Sequence, residues 1–165
     1  MQEMQNLSTT EIDGLKGNNP IYSGVELLGY YQKGDTPAPI RYYLAAGTPV
    51  QGADDGGSLI TIGGISLNHE FNDRVDVSYF GAIGTVADCL ERINRAITYA
   101  QTHSVKVVEI SQDVLLSLPA NYSAPGILMK SHVYLELNAT IAIRANDYPR
   151  YAIILFSGVN DEVPL

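Results

Sequence analysis

Polar residues fill the first twenty positions, and short runs of alternating apolar and polar residues take over after them. Ser8-x-x-Glu11 fits a capping box for a very short helix ending near Gly14 or Gly17, and a poorly ordered arm fits the same stretch equally. From residue 21 to 72 the pattern predicts a small antiparallel β module. Val25-Glu26-Leu27-Leu28-Gly29-Tyr30-Tyr31 and Ile40-Arg41-Tyr42-Tyr43-Leu44 are rich in aromatic and β-prone residues. Lys33-Gly34-Asp35-Thr36-Pro37-Ala38-Pro39 separates them, a sequence that neither a helix nor a central strand tolerates. Asp54-Asp55-Gly56-Gly57 reads as an Asx-type turn before a strand at Ser58-Leu59-Ile60-Thr61-Ile62.

One stretch carries helical periodicity. Val86, Leu90, Ile93, Ile97 and Ala100 recur at spacings of three and four, which places them on one face. Thr85 and Asp88 form the expected N-cap region, with the Asp88 carboxylate in the first turn favouring the helix dipole. Arg92 and Arg95 lie on the polar side, and His103-Ser104 is the expected end. The apolar stripe reads as core packing.

Behind the helix the chain returns to β. Val105–Ile110, Val133–Leu137, Thr140–Arg144 and Ala152–Phe156 are strand candidates, with Val133, Leu135 and Leu137 expected on one buried face. Val133 and Ile153 begin comparable strands 20 residues apart, a spacing that predicts stacked β repeats rather than a sandwich.

Val75-Asp76-Val77-Ser78-Tyr79-Phe80-Gly81-Ala82 resembles the entry motif of the pectate-lyase-like, right-handed parallel β-helix superfamily, V-x-V-x-x-F-G-A-K-G-D-G, which leads through a D-D-T cap into an amphipathic helix. Lys130-Ser131-His132-Val133-Tyr134-Leu135 is similar to that family's P-S-N-V-x-L, and Asn138-Ala139-Thr140-Ile141 to its G-x-A-T-I. The acidic G-D-G turn is shortened here to Ile83-Gly84-Thr85, and Asp88 alone survives from the D-D-T cap. Upstream, residues 28–40 with Asp54-Asp55-Gly56-Gly57 resemble the module that precedes the β-helix in phage and prophage tailspikes, in a form close to those of gut Bacteroidota and their phages. The resemblance implies a mainly β fold: an arm over 1–20, a small antiparallel module over 21–72, then over 73–165 an amphipathic capping helix and the first coils of a right-handed parallel β-helix.

Charge and composition narrow the function. Among 165 residues, 18 acids face 10 Lys and Arg, a net charge of −8 that argues against duplex nucleic acid and an anionic membrane face. No apolar stretch approaches the roughly 20 residues of a membrane helix, and the N-terminus shows no Sec-type signal. The lone Cys89 forms no intrachain disulfide; its place in the first helical turn would lower a thiol pKa, yet no base partner is visible and an inert, half-buried cysteine is the better reading. His69, His103 and His132 are too scattered for a metal motif, and no cofactor is expected. Three acid pairs have glycosidase-like proximity in sequence: Asp54/Asp55, Glu109/Asp113 and Asp161/Glu162. None comes with a cavity, and the family's catalytic carboxylates lie on later coils or between subunits, so no catalytic residue carries over. The sequons at Asn6, Asn121 and Asn138 read as chance matches.

Tyrosine is the compositional oddity, with 11 Tyr against 3 Phe and no Trp. Tyr30, Tyr31, Tyr42 and Tyr43 cluster about one hairpin, as candidate protein-interface or glycan contacts. The resulting expectation is a structural virion component made in the bacterial cytoplasm: the virion-proximal part of a phage tail fibre or tailspike, homotrimeric, held to other virion proteins by residues 1–20 and serving adsorption to host capsular polysaccharide. The alternatives are the start of a polysaccharide lyase or hydrolase whose catalytic coils lie past residue 165, and a non-catalytic glycan-binding module. For this stretch the balance leans against an enzyme.

Overall fold

The computed structural model describes residues 24–44, 54–62, 65–86, 88–117, 126–144 and 154–156. The arm over 1–20, the sequons at Asn6 and Asn121 and the pair Asp161/Glu162 lie outside them. The described structure is mainly strands, with one α-helix and a small antiparallel sheet. The chain divides into two units, one of residues up to Phe71 together with Ser78–Gly81, the other of Asn72–Val77 together with Ala82 onward.

The first unit is a four-stranded antiparallel sheet. Strands β1 (Gly24–Leu27), β2 (Ile40–Leu44), β3 (Leu59–Ile62) and β4 (Ile65–Asn68) lie in the order β1-β2-β4-β3. The β1–β2 register sets Val25 against Tyr42 and Leu27 against Ile40. Leu27, Ile40, Tyr42, Ile60 and Leu67 form its core, with Phe71 and Tyr79 packed against them. The loop between β1 and β2 winds about one carboxylate. Asp35 accepts the backbone N–H groups of Tyr30, Tyr31 and Gln32 at 2.6, 2.8 and 2.9 Å. A buried acid with three donors is well satisfied, so this Pro-rich segment holds one shape. The Asp-Asp-Gly-Gly turn is built as its sequence predicts: Asp54 and Asp55 accept the N–H groups of Gly56 and Gly57, both at 2.8 Å. Gly56 sits at φ 76°, and a Cβ on Gly57 would meet the Phe80 ring at 2.5 Å.

In the second unit parallel pairing replaces antiparallel. After β5 (Arg74–Asp76) and a short 3-10 helix at Val77–Phe80, whose last three residues belong to the first unit, comes the helix α1 (Cys89–Thr102). Six strands follow: β6 (Val107–Ile110), β7 (Val114–Leu116), β8 (Ile127–Met129), β9 (Tyr134–Leu137), β10 (Ile141–Ile143) and β11 (Ile154–Phe156). They form three parallel ladders, β5-β6-β9, β7-β10 and β8-β11. Val107 faces Tyr134, Val114 faces Ile141 and Ile127 faces Ile154, so each partner lies 27 residues further along the chain. The chain thus passes twice through the same three ladders in the same order.

This corrects the 20-residue spacing expected from Val133 and Ile153. The strands that these residues introduce, β9 and β11, belong to different ladders; their resemblance is one of local β pattern, not of equivalent positions. The buried face expected of Val133, Leu135 and Leu137 also fades along the strand, with Val133 buried and Leu137 48% exposed.

The helix buries Cys89, Leu90, Ile93, Ala96, Ile97, Tyr99 and Ala100 and packs on strands of all three ladders. Leu90, Ile93, Ile97 and Ala100 are the face that the spacing predicts; Val86 precedes the helix. Asp88, not Thr85, is the N-cap residue, and neither makes a capping hydrogen bond. With ψ at 22°, Asp88 lacks the extended backbone that turns a capping oxygen back onto the first turn. Its carboxylate pairs with Arg92 at 2.9 Å instead, which holds it below the usual carboxylate range. Glu91 is the acid of the first turn and pairs with Arg95. The helix ends at the expected place: His103 is the C-cap, Ser104 turns left-handed at φ 59°, and the Val105 N–H reaches back to the Ala100 carbonyl at 2.9 Å. This is a Schellman ending, with serine where glycine is usual.

Candidate functional site

The four tyrosines singled out in the sequence do not share a surface. Tyr42 is 1% exposed and donates its hydroxyl to the Gly57 carbonyl, so it closes the sheet over the Asp-Asp-Gly-Gly turn. Burial pushes its phenol well above the ordinary value, which keeps it a proton donor. Tyr30 is buried too, edge-on to Tyr31 at 4.8 Å, and Tyr31 donates to the Gly81 carbonyl at 3.1 Å. Tyr43 alone of the four is largely exposed, at 52%. Alternation explains the split, because residues 42 and 43 point to opposite faces of β2. A stacking platform of four rings is therefore not available at this hairpin.

The carboxylates also have structural occupations. Asp55 accepts from the Leu59 N–H at 2.9 Å as well as from Gly57, and from the Ser58 hydroxyl. Asp113 accepts the Thr140 N–H at 2.8 Å and so ties one repeat to the next. Glu109 belongs to a different constellation from the one its sequence neighbours imply. In register along the first ladder, Asp76, Glu109 and Glu136 follow one another on β5, β6 and β9. Arg74 donates to Glu109 at 2.8 Å and lies 3.4 Å from Glu136, and the Asn138 amide donates to both acids, at 2.9 and 3.2 Å. The Arg74 guanidinium, then the Asn138 amide, hold the Glu109 carboxyl below its usual range. A glycosidic acid needs a raised pKa to deliver a proton, so this arrangement is a strand stack of acids bridged by one arginine and one amide rather than an acid–base pair. Only the strand register reveals it, since Glu136 lies 27 residues beyond Glu109 and Arg74 lies 35 before it.

Cys89 is fully buried, its thiol 3.8 and 3.9 Å from the Gly84 and Ile83 carbonyls. Burial pushes its pKa up, outweighing the backbone hydrogen bond to Ile83 that would lower it. Among the described residues no group of three His, Cys, Asp or Glu side chains is placed to hold a metal, and no helix is long and apolar enough to cross a membrane.

At the far edge of the ladders β9, β10 and β11 each have a described strand on one side only. Leu137 and Ile143 are exposed there, at 48% and 37%. On the opposite side β7 and β8 are closed by groups outside any strand. The Gly84 N–H donates to the Asp113 carbonyl at 3.1 Å and its carbonyl accepts the Leu115 N–H at 2.8 Å, as a paired strand would beside Val114. Asn94, from the helix, does the same beside Ile127 with its side chain.

Compared with protein-family models, with curated proteins and with solved structures, the chain matches none.

Proposed function

We propose that the chain is the N-terminal, virion-proximal part of a phage tail fibre or tailspike, a structural component of the particle that serves adsorption to host surface glycans. Residues 1–20 attach to other virion proteins, the antiparallel module follows, and the repeats begin a right-handed, pectate-lyase-like parallel β-helix within a homotrimer. One observation carries this reading: behind the V-x-V-x-x-F-G-A entry and its amphipathic helix, the chain passes twice through three parallel ladders at a constant 27-residue offset. Solenoids of stacked repeats need about three units for stability. Two passes leave apolar Leu137 and Ile143 and three strand edges to be covered, and a symmetric neighbour or further repeats supply that cover.

Light scattering on the folded chain tests the assembly. The expected mass is three times the chain's 17.9 kDa, reduced to a monomer by Leu137→Asp. A folded wild-type monomer overturns the trimer. Binding of the chain to phage particles that lack their own tail spikes tests the attachment arm, with loss of binding expected when residues 1–20 are removed.

A further inference from the structure

The C-terminal end of α1 and the turn before β9 enclose a hollow of about 370 Å³. Its polar lining consists of Gln101, Ser104, Lys106, Ser131, His132 and Tyr134. The volume matches a small ligand rather than a buried void. Three features set the hollow apart from an incidental surface dent.

The first is backbone conformation. Ser104 at φ 59° and His132 at φ 63° are the non-glycine residues with left-handed backbones among the described residues, and both line this hollow. At Ser104 the helix ending accounts for this conformation, whereas His132 holds it in the turn before β9 where no helix end requires it, and strained residues collect where a side chain has a task. The second is chemical availability: none of the six polar side chains makes a hydrogen bond or ion pair within the described structure. Their backbones are nevertheless fixed. The Tyr134 N–H donates to the Lys106 carbonyl at 2.8 Å, the Val133 N–H to the Lys130 carbonyl at 3.3 Å, and Val105 is tied to Ala100. The third is charge. Acids outnumber Lys and Arg by 18 to 10 over the chain, yet no acid lines the hollow and Lys106 does.

These features select a ligand class. Tyr134 is 69% exposed, a flat apolar face with a polar tip at the rim, which suits the apolar side of a sugar ring. Two hydroxyls, an amide and an imidazole suit ring hydroxyls, and the Lys106 ammonium suits a carboxylate. The negative end of the helix dipole opens on the side of Gln101 and Ser104, so an anionic group is accommodated on the Lys106 side and a neutral, hydroxyl-rich face lies against the helix end. We propose that this hollow is a binding subsite for a carboxylate-bearing saccharide, held by Tyr134 stacking and a Lys106–carboxylate contact, without chemistry on the sugar. It gives the glycan side of the tail-fibre reading a location and rests on that reading for its biological setting. The geometry itself belongs to a single chain, so a failure here leaves the light-scattering result untouched.

The test is titration of the isotope-labelled full chain, followed through assigned backbone amides, with sodium glucuronate, glucose or inorganic phosphate at one ionic strength. Glucuronate is expected to shift the amides of Ser104, Lys106, Ser131 and His132, with glucose binding at least about fivefold more weakly, the worth of one charge-assisted contact. Lys106→Gln is expected to weaken glucuronate binding about fivefold or more and so to bring it level with glucose. Tyr134→Ala is expected to weaken both sugars about fivefold or more. Both residues are exposed, and the amide spectra of the variants report retention of the fold. Absence of shifts at the hollow, phosphate binding as tightly as glucuronate, or a folded Lys106→Gln protein that keeps the preference would each overturn the assignment.

Discussion

The side-chain carboxamide of Asn94 accepts the Leu128 N–H at 2.8 Å and donates to the Gly126 carbonyl at 3.1 Å. It thereby flanks Ile127 on the side of β8 where no described strand pairs. Gly84 makes the equivalent two bonds beside Val114 with its own peptide groups, and β5 is the real strand that heads the first ladder. The three ladders therefore begin on a strand, a single peptide unit and a side-chain amide. Each satisfies backbone groups that would otherwise form an open edge.

Asn94→Ala removes both bonds and leaves the N–H and C=O beside a fully buried Ile127 without partners. The expected loss is about 1–3 kcal/mol, the desolvation cost of unpaired backbone groups. Asn94→Asp keeps the acceptor for Leu128 but sets a carboxylate oxygen against the Gly126 carbonyl, and it is expected to lose at least as much. Urea unfolding measures both, and wild-type stability in Asn94→Ala would show that the amide is incidental.

Tyr42 makes a second point about buried polar groups. Tyr42→Phe keeps the ring in the core of the antiparallel sheet but strips the Gly57 carbonyl of its donor. A loss of about 1–3 kcal/mol is expected, with an unchanged denaturant slope because the compactness of the module is preserved. Exchange of the Gly57 and Leu59 amides is expected to quicken in parallel, since both bond to Asp55 in the turn that Tyr42 closes.

What the sequence discloses here is what is local. The hairpin of β1 and β2, the Asp-Asp-Gly-Gly turn and the helix face of Leu90, Ile93, Ile97 and Ala100 rest on spacing and turn chemistry within a dozen residues. The helix start is misplaced because Val86 continues the spacing of that face by chance, so Thr85 looks like its cap. The 27-residue offset escapes notice because β7, β8 and β10 are three residues each, too short to show a period. Val133 and Ile153 look equivalent because any β entry does. Asn94 reads as one more polar residue on a helix surface, and nothing in its neighbours tells that it serves a strand. Tyr42 and Tyr43 are adjacent in sequence and opposite in fate, which only the register of β2 decides.

Ser104 offers a stabilising change. Its left-handed backbone is the kind that glycine adopts without crowding its Cβ, at a saving of about 1 kcal/mol partly offset by the greater freedom of glycine in the unfolded chain. Ser104→Gly is expected to raise stability by up to about 0.5 kcal/mol, measured by urea unfolding. The same substitution removes a hydroxyl from the hollow, so a more stable variant with weakened glucuronate binding is the expected pair of outcomes.

Cys89 supplies a probe of the helix seat. Full burial and a raised pKa leave little thiolate at neutral pH, so alkylation of the native chain by iodoacetamide is expected to run at least about a hundredfold slower than in denaturant. Reaction at the denatured rate would mean that the helix lifts readily from the ladders, and Asn94→Ala is expected to move the native rate in that direction.

The stack of Glu109 on Glu136 makes the stability of the repeats depend on pH. Glu109 has a folded pKa below its unfolded value of about 4.3, held there by Arg74 and Asn138. A lowered carboxylate contributes stability that is fully present above the unfolded value and disappears as pH falls through the folded one. Glu109→Gln is therefore expected to lower stability near pH 7 and to flatten its fall on acidification from about pH 5 downward. Arg74→Gln acts in the same direction for a different reason. It leaves Glu109 and Glu136 as like charges directly opposed on parallel strands, a destabilising pair that protonation relieves. Its deficit relative to wild type is expected to be largest near neutral pH and to shrink as Glu109 is protonated. Urea midpoints for the three proteins between pH 3 and pH 7 measure this directly. A deficit in Arg74→Gln that does not vary with pH would show that the arginine acts by packing its stem rather than by its charge.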